Sequence, residues 1–112
     1  MPTKSPTRGV AVALHTAGAA LANGQVLAIP DSFKNHTIIL KGSAGIASGK
    51  VQPECADASD YSGTWAPIGG GEVAAVASAE VLIQLTGVYK FLRCRISTVI
   101  AGGTVTVTYV GS

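Results

Sequence analysis

The sequence predicts an all-β protein: a single antiparallel β-sandwich, jelly-roll-like or immunoglobulin-like, behind an extended N-terminal arm. Three observations carry this prediction. Short runs rich in Val, Ile, Leu and Thr recur along the chain, several of them alternate apolar and polar residues with period two, and Gly, Pro, Asn or Asp punctuate them. The arm is read over residues 1–8 and the sandwich over residues 9–112.

Residues 1–8 (MPTKSPTR) hold two prolines and two basic residues with no apolar periodicity, which suits an extended segment. Such a segment frays in isolation, so a neighbouring subunit is expected to hold it. Strands are expected at about 9–15, 25–29, 36–41, 46–55, 63–68, 81–86, 89–98 and 103–110. The last of these is the plainest. In GTVTVTYVG, Val105, Val107 and Tyr109 alternate with Thr104, Thr106 and Thr108, giving one apolar and one hydroxylated face. Val81, Ile83 and Leu85 likewise share a face opposite Leu82, Gln84 and Thr86. In YKFLRCRIS, Leu92, Cys94 and Ile96 point one way, which predicts a buried Cys94, while Phe91, Arg93 and Arg95 point the other.

Turn chemistry supports these divisions. Asn23-Gly24 and Gly102-Gly103 supply the positive φ of tight connections, and Pro30-Asp31-Ser32 and Gly69-Gly70-Gly71 mark longer loops. Helix is the competing reading at Glu72 to Leu85, where alanines are frequent. It is limited to a turn or two, because Val81 to Thr86 is rich in β-branched residues and no cap precedes it.

A chain of 112 residues fits one domain and buries roughly two-thirds of its unfolded surface on folding. Only 12% of residues are charged against 47% hydrophobic, about half the usual charge content. Such a surface suits a protein packed against neighbours. The eight basic and six acidic residues give +2 and are scattered, so no nucleic-acid stripe is expected. No apolar run reaches the 18 or so residues of a membrane span, so no membrane partner is expected either. Lys4 and Arg8 ahead of Gly9–Ala22, with Ala20-Leu21-Ala22, imitate a secretory leader. His15, Thr16 and Gly18 interrupt its apolar run, and no leader is assigned.

Candidate chemistry is thin. His15 and His36 are the bases available for a nucleophilic triad, but both stand at strand ends, where a histidine usually bonds to backbone. The loop from Ala56 to Gly63 carries Asp57 and Asp60 but lacks the ladder and terminal Glu of a calcium loop. Gly69-Gly70-Gly71 has no Lys-Ser or Lys-Thr after it, so it is read as a loop rather than a phosphate cradle. Cys55 and Cys94 fit two buried free thiols, one bridge between strands, or, less naturally, a metal pair completed by histidine. No cofactor, metal or catalytic activity is expected. Trp65 in GTWAPIG reads as a core or interface anchor, with sugar binding as the rival use. Phe91 beside Arg93 and Arg95 has the composition of an interface centre.

The successive segments SGKVQPECADASDYSGTWAPIG, VYKFLRCRIS and GGTVTVTYVGS resemble the small β-sandwich virion proteins of tailed bacteriophages. The resemblance covers residues 48–112, and residues 9–47 carry no family mark. It implies a structural protein present in many copies on the virion, as a capsid decoration or cement protein or as a neck or tail component. It also implies arms that reach neighbouring subunits, a homo-oligomer with a trimer favoured, and the major capsid protein as partner. The interface residues expected on these grounds are Pro2, Lys4, Pro6, Arg8, Trp65, Phe91, Arg93 and Arg95. A carbohydrate- or receptor-binding module built on Trp65, Tyr61 and the Asp57–Asp60 loop is the rival from another class.

Overall fold

The structure, a computed structural model, describes residues 3–112. It contains nine strands: β1 (Val12–Gly18), β2 (Leu27–Ala28), β3 (Asn35–Gly42), β4 (Ser48–Ala56), β5 (Ala66–Pro67), β6 (Val73–Ala74), β7 (Glu80–Thr86), β8 (Phe91–Ala101) and β9 (Val105–Gly111). The described residues form no helix. The segment Glu72 to Leu85, where a helical turn competed, holds β6, a turn and β7. Ser78 in that turn takes a φ of 54°, outside the right-handed helical region, and the alternation that follows favours a strand.

Two antiparallel sheets pack as a sandwich. One runs β1-β9-β3-β7, and the other runs β2-β8-β4-β5 with β6 also pairing β4. Both β5 and β6 lie along the same edge of β4, β5 beside Glu54 and Cys55 and β6 beside Lys50 and Val51, so they act as one broken strand. Counted that way, β1 meets β9, β2 meets β8, β3 meets β7 and β4 meets the broken strand. This is the pairing of an eight-stranded jelly roll, in which a long hairpin is rolled so that its successive pairs alternate between the sheets.

The core lies between the sheets, as period-two patterning requires. Val105, Val107 and Tyr109 from β9 face Leu92, Cys94 and Ile96 from β8, with Leu27, Ile38, Leu40 and Val51, all buried. Ile83 and Leu85 close the β7 side and Val81 is half-buried. Each such apolar side chain contributes roughly 1.5–3 kcal/mol when taken fully from water. Both cysteines are free thiols, Cys94 buried and Cys55 only partly so.

Two buried histidines serve as structural cross-links. His36 Nε2–H donates to the Gly87 carbonyl at 2.8 Å, and the Tyr109 hydroxyl meets His36 Nδ1 at 2.5 Å. His15 Nε2–H donates to the Cys94 carbonyl at 2.6 Å, tying β1 of one sheet to β8 of the other. Gly24 makes that bond possible. Its φ is +76°, and a Cβ there would stand 2.5 Å from His15 Nε2.

From Lys4 onward the N-terminal segment is docked on its own chain. Lys4 forms a parallel bridge with Leu27, its N–H donating to Val26 O at 3.1 Å and its carbonyl accepting from Ala28 N–H at 2.8 Å. Edge strand β2 has only two residues and bonds to spare, so the nearest extended segment completes it. Pro6 is buried, and the Arg8 guanidinium lies 5.2 Å over the Phe33 ring.

Candidate functional site

Of the residues expected to mediate contacts, Trp65, Phe91, Arg93 and Arg95 come together on the outer face of the five-stranded sheet. The long β4–β8 pairing sets them there: Glu54 is opposite Arg93, Gln52 opposite Arg95 and Ala56 opposite Phe91. Phe91, Arg93 and Arg95 alternate with the core residues Leu92, Cys94 and Ile96, so one period-two run serves both faces.

Glu54 is the centre of the group. Its carboxylate accepts from Arg93 Nε at 2.9 Å through Oε1, and from Arg95 Nε and Gln52 Nε2, each at 3.1 Å, through Oε2. Glu54 is 2% exposed, and these three donors supply the hydrogen bonds that its shielded oxygens cannot take from water. One carboxylate against two guanidiniums leaves the group with one positive charge in excess. The Arg93 guanidinium in turn lies 4.1 Å over the Trp65 ring, and Trp65 Nε1–H donates to the Tyr61 carbonyl at 2.9 Å. The Tyr61 backbone of the preceding loop is thereby tied to the indole that stacks on Arg93.

Trp65 is only 1% exposed and lies outside the sandwich core cluster. It precedes β5 rather than standing within a strand, because Ala66 and Pro67 alone register with β4. Its indole faces are packed, so it anchors the loop beneath the surface and offers no platform for a sugar ring. Phe91 is half-buried beside Ala28 and Ala56, and the Arg95 side chain, 36% exposed, is the more open of the two arginines. Farther along β8, Ser97 donates to Glu72 Oε2 at 2.6 Å. That bond leads the causes that lower the Glu72 carboxyl below its ordinary range, with Lys50, Thr98 and Arg95 adding to it.

Pro2 lies outside the described residues, Pro6 is buried, Arg8 lies by Ser32 and Phe33, and Lys4 sits at the β2 edge. A shallow hollow of about 400 Å³ adjoins it, lined by Lys4, Leu14, His15, Gly24 and Gln25 among others. Its histidine is already committed to the Cys94 carbonyl. Among the described residues no three of His, Cys, Asp and Glu gather as a metal-binding group, and no helix is long and apolar enough to cross a membrane.

Sequence reasoning missed Glu54 and Gln52. The usable signal was the alternation Gln52-x-Glu54 facing Arg93-x-Arg95, which becomes informative once the register is known. Burial pushes the Cys94 thiol up to about 12, with the Glu54 charge adding to the effect, so this cysteine is inert rather than nucleophilic.

No family model matches the chain, and no curated protein matches it. Among solved structures it is similar to the crystal structure of SPBc2 prophage-derived protein YomS, with a TM-score of 0.63 and 12% sequence identity over 92% of this chain and 92% of that one. Identity this low speaks for fold alone. The chain has the two-sheet all-β architecture of a prophage-derived protein along nearly its whole length.

Proposed function

We propose that this chain is a structural virion protein of a tailed bacteriophage, a decoration protein that binds the capsid shell in many copies and steadies it through subunit contacts. The observation that carries this reading is the fold shared with a prophage-derived protein over 92% of both chains. The jelly roll is also an architecture that viral shells use widely, and this analogy of fold supports the reading. The interior of the molecule agrees. Among its buried polar side chains, His15, His36 and Glu54 are each held in hydrogen bonds that fasten strand to strand or strand to loop, a use that serves rigidity.

The contact surface is the outer face of the five-stranded sheet, where Arg95 and half-buried Phe91 flank the Glu54 cluster. An arginine beside an aromatic ring, fixed in advance by the strands beneath, loses little freedom on docking. Each contact can then be weak, because copies spread over a shell act together. The partners on this reading are the major capsid protein and further copies of the chain, at the virion surface.

The test is to add the purified chain to phage heads that lack it, sediment them and image the particles. Co-sedimentation in many copies, with the chain visible on the shell, is the expected result. Phe91→Ala is expected to reduce binding more than it reduces melting temperature. Heads that fail to retain the chain would overturn the shell assignment, and label found at the neck or tail would move the same structural role there.

A further inference from the structure

The two sheets have four edges, and three of them are closed by recognisable means. Strand β1 carries two register irregularities, between Ala13 and His15 and between His15 and Gly18, which twist it out of line. The two-residue β2 is covered by Lys4. Strands β5 and β6 have two residues each, with Pro67 in β5. Short, bulged, covered and proline-bearing edges are the standard devices against unwanted pairing.

Strand β7 has none of them. Its seven residues, EVLIQLT, pair with β3 without irregularity from Glu80 opposite Lys41 to Thr86 opposite Asn35, and β7 ends its sheet. Only Glu80 is charged, and Leu82 is 58% exposed. The alternation of an antiparallel ladder tells which backbone groups are left over. Gly42 N–H bonds to Ala79 O and Gly87 N–H to Lys34 O, so the odd-numbered residues between them turn their N–H and C=O groups toward β3. Leu82 and Gln84 turn theirs to the free edge. Among the described residues no other backbone group meets them, whereas the Thr86 carbonyl accepts from the Tyr89 hydroxyl at 3.0 Å.

We propose that this edge pairs with β7 of a second copy, antiparallel about a two-fold axis at Ile83, making one continuous sheet across two subunits. The strand is self-complementary in this register. Leu82 then stands opposite Gln84 of the second copy, and Gln84 opposite its Leu82. Each pair exchanges two N–H···O bonds through groups that are free in the single chain. Glu80 meets Thr86, so no like charges oppose one another. Ile83 faces its own counterpart on the core side, carrying the apolar layer through the junction. This goes beyond the virion reading by naming the element that joins copies, and it predicts even-numbered assemblies, in contrast to the trimer that the phage resemblance implies.

Light scattering on the full chain tests it. The wild type is expected at an even multiple of its 11.2 kDa mass. Gln84→Pro removes an N–H that serves the free edge and none that serves β3. It is expected to halve that mass while the β-type circular dichroism persists. Leu82→Lys, which leaves the backbone intact, is expected to weaken association at least tenfold and decides the matter if the proline variant does not fold. A monomer at millimolar concentration, an odd-numbered oligomer, or an even one that both variants leave unchanged overturns edge pairing. A trimer that still decorates heads would do so while leaving the virion assignment standing.

Discussion

Replacing Glu54 by alanine would leave Arg93 and Arg95 facing each other across an empty space, with Arg93 largely withdrawn from solvent. Removing one partner of a buried pair typically costs 3–5 kcal/mol. Because Arg95 is partly solvated, a loss of about 2–3 kcal/mol is expected in urea unfolding. Trp65 fluorescence should shift as its loop loosens. Two other buried groups set an alkaline limit. The Cys94 thiol is pushed up to about 12 by burial, and the Tyr109 hydroxyl to about 12 by the same cause. In the unfolded chain these groups lose their protons near 9 and 10 respectively, while the folded chain keeps them. Stability is therefore whole below pH 9 and falls as pH rises toward 12, by up to about 1.4 kcal/mol per pH unit for each group. Thermal melts across that range check the slope. The burial of Cys94 was legible in YKFLRCRIS because alternation assigns a face. The role of Glu54 was not, since it depends on which residue of β8 stands opposite.

At the scale of elements, the long strands were readable, and among the two-residue strands β2 fell within its expected 25–29 while β6 had no counterpart. β9, β8, β7 and β3 each span enough residues for period two to repeat, and each formed within a few residues of its expected limits. β6 has two residues, too few to show any period, and β5 begins after Trp65 rather than at Gly63. Both are made by the edge of β4 they lie against, a tertiary cause that sequence pattern does not carry. The docking of Lys4 on β2 was not legible in the sequence. Truncation of residues 1–8 is therefore expected to lower the folded chain's stability by about 2 kcal/mol through three lost backbone bonds, two of them to the β2 segment, and the loss of buried Pro6. A melting curve is the check, and an unchanged curve would return the arm to a purely intersubunit role. Removal of Val105–Ser112 should be far more severe. β9 lies between β1 and β3, so its loss splits a sheet, and the circular dichroism of the remainder should be that of an unfolded chain.

For the molecule as a whole, the jelly roll makes nearly every pairing a distant one in sequence: β1 with β9, β2 with β8 and β3 with β7. Closing such loops is slow, and refolding is expected in the millisecond-to-second range typical of β-sandwiches. The single tryptophan, stacked under Arg93, gives the signal for stopped-flow measurement, and microsecond recovery would contradict this topology. The place of β9 also matters during synthesis. A ribosome delivers β1 and β3 long before the strand that must slide between them, so Leu14, Ile38 and Leu40 remain uncovered while translation continues. Neighbouring nascent chains on one message would meet through those surfaces, and the yield of native protein should depend on elongation rate and on holdase chaperones more than on the final melting temperature.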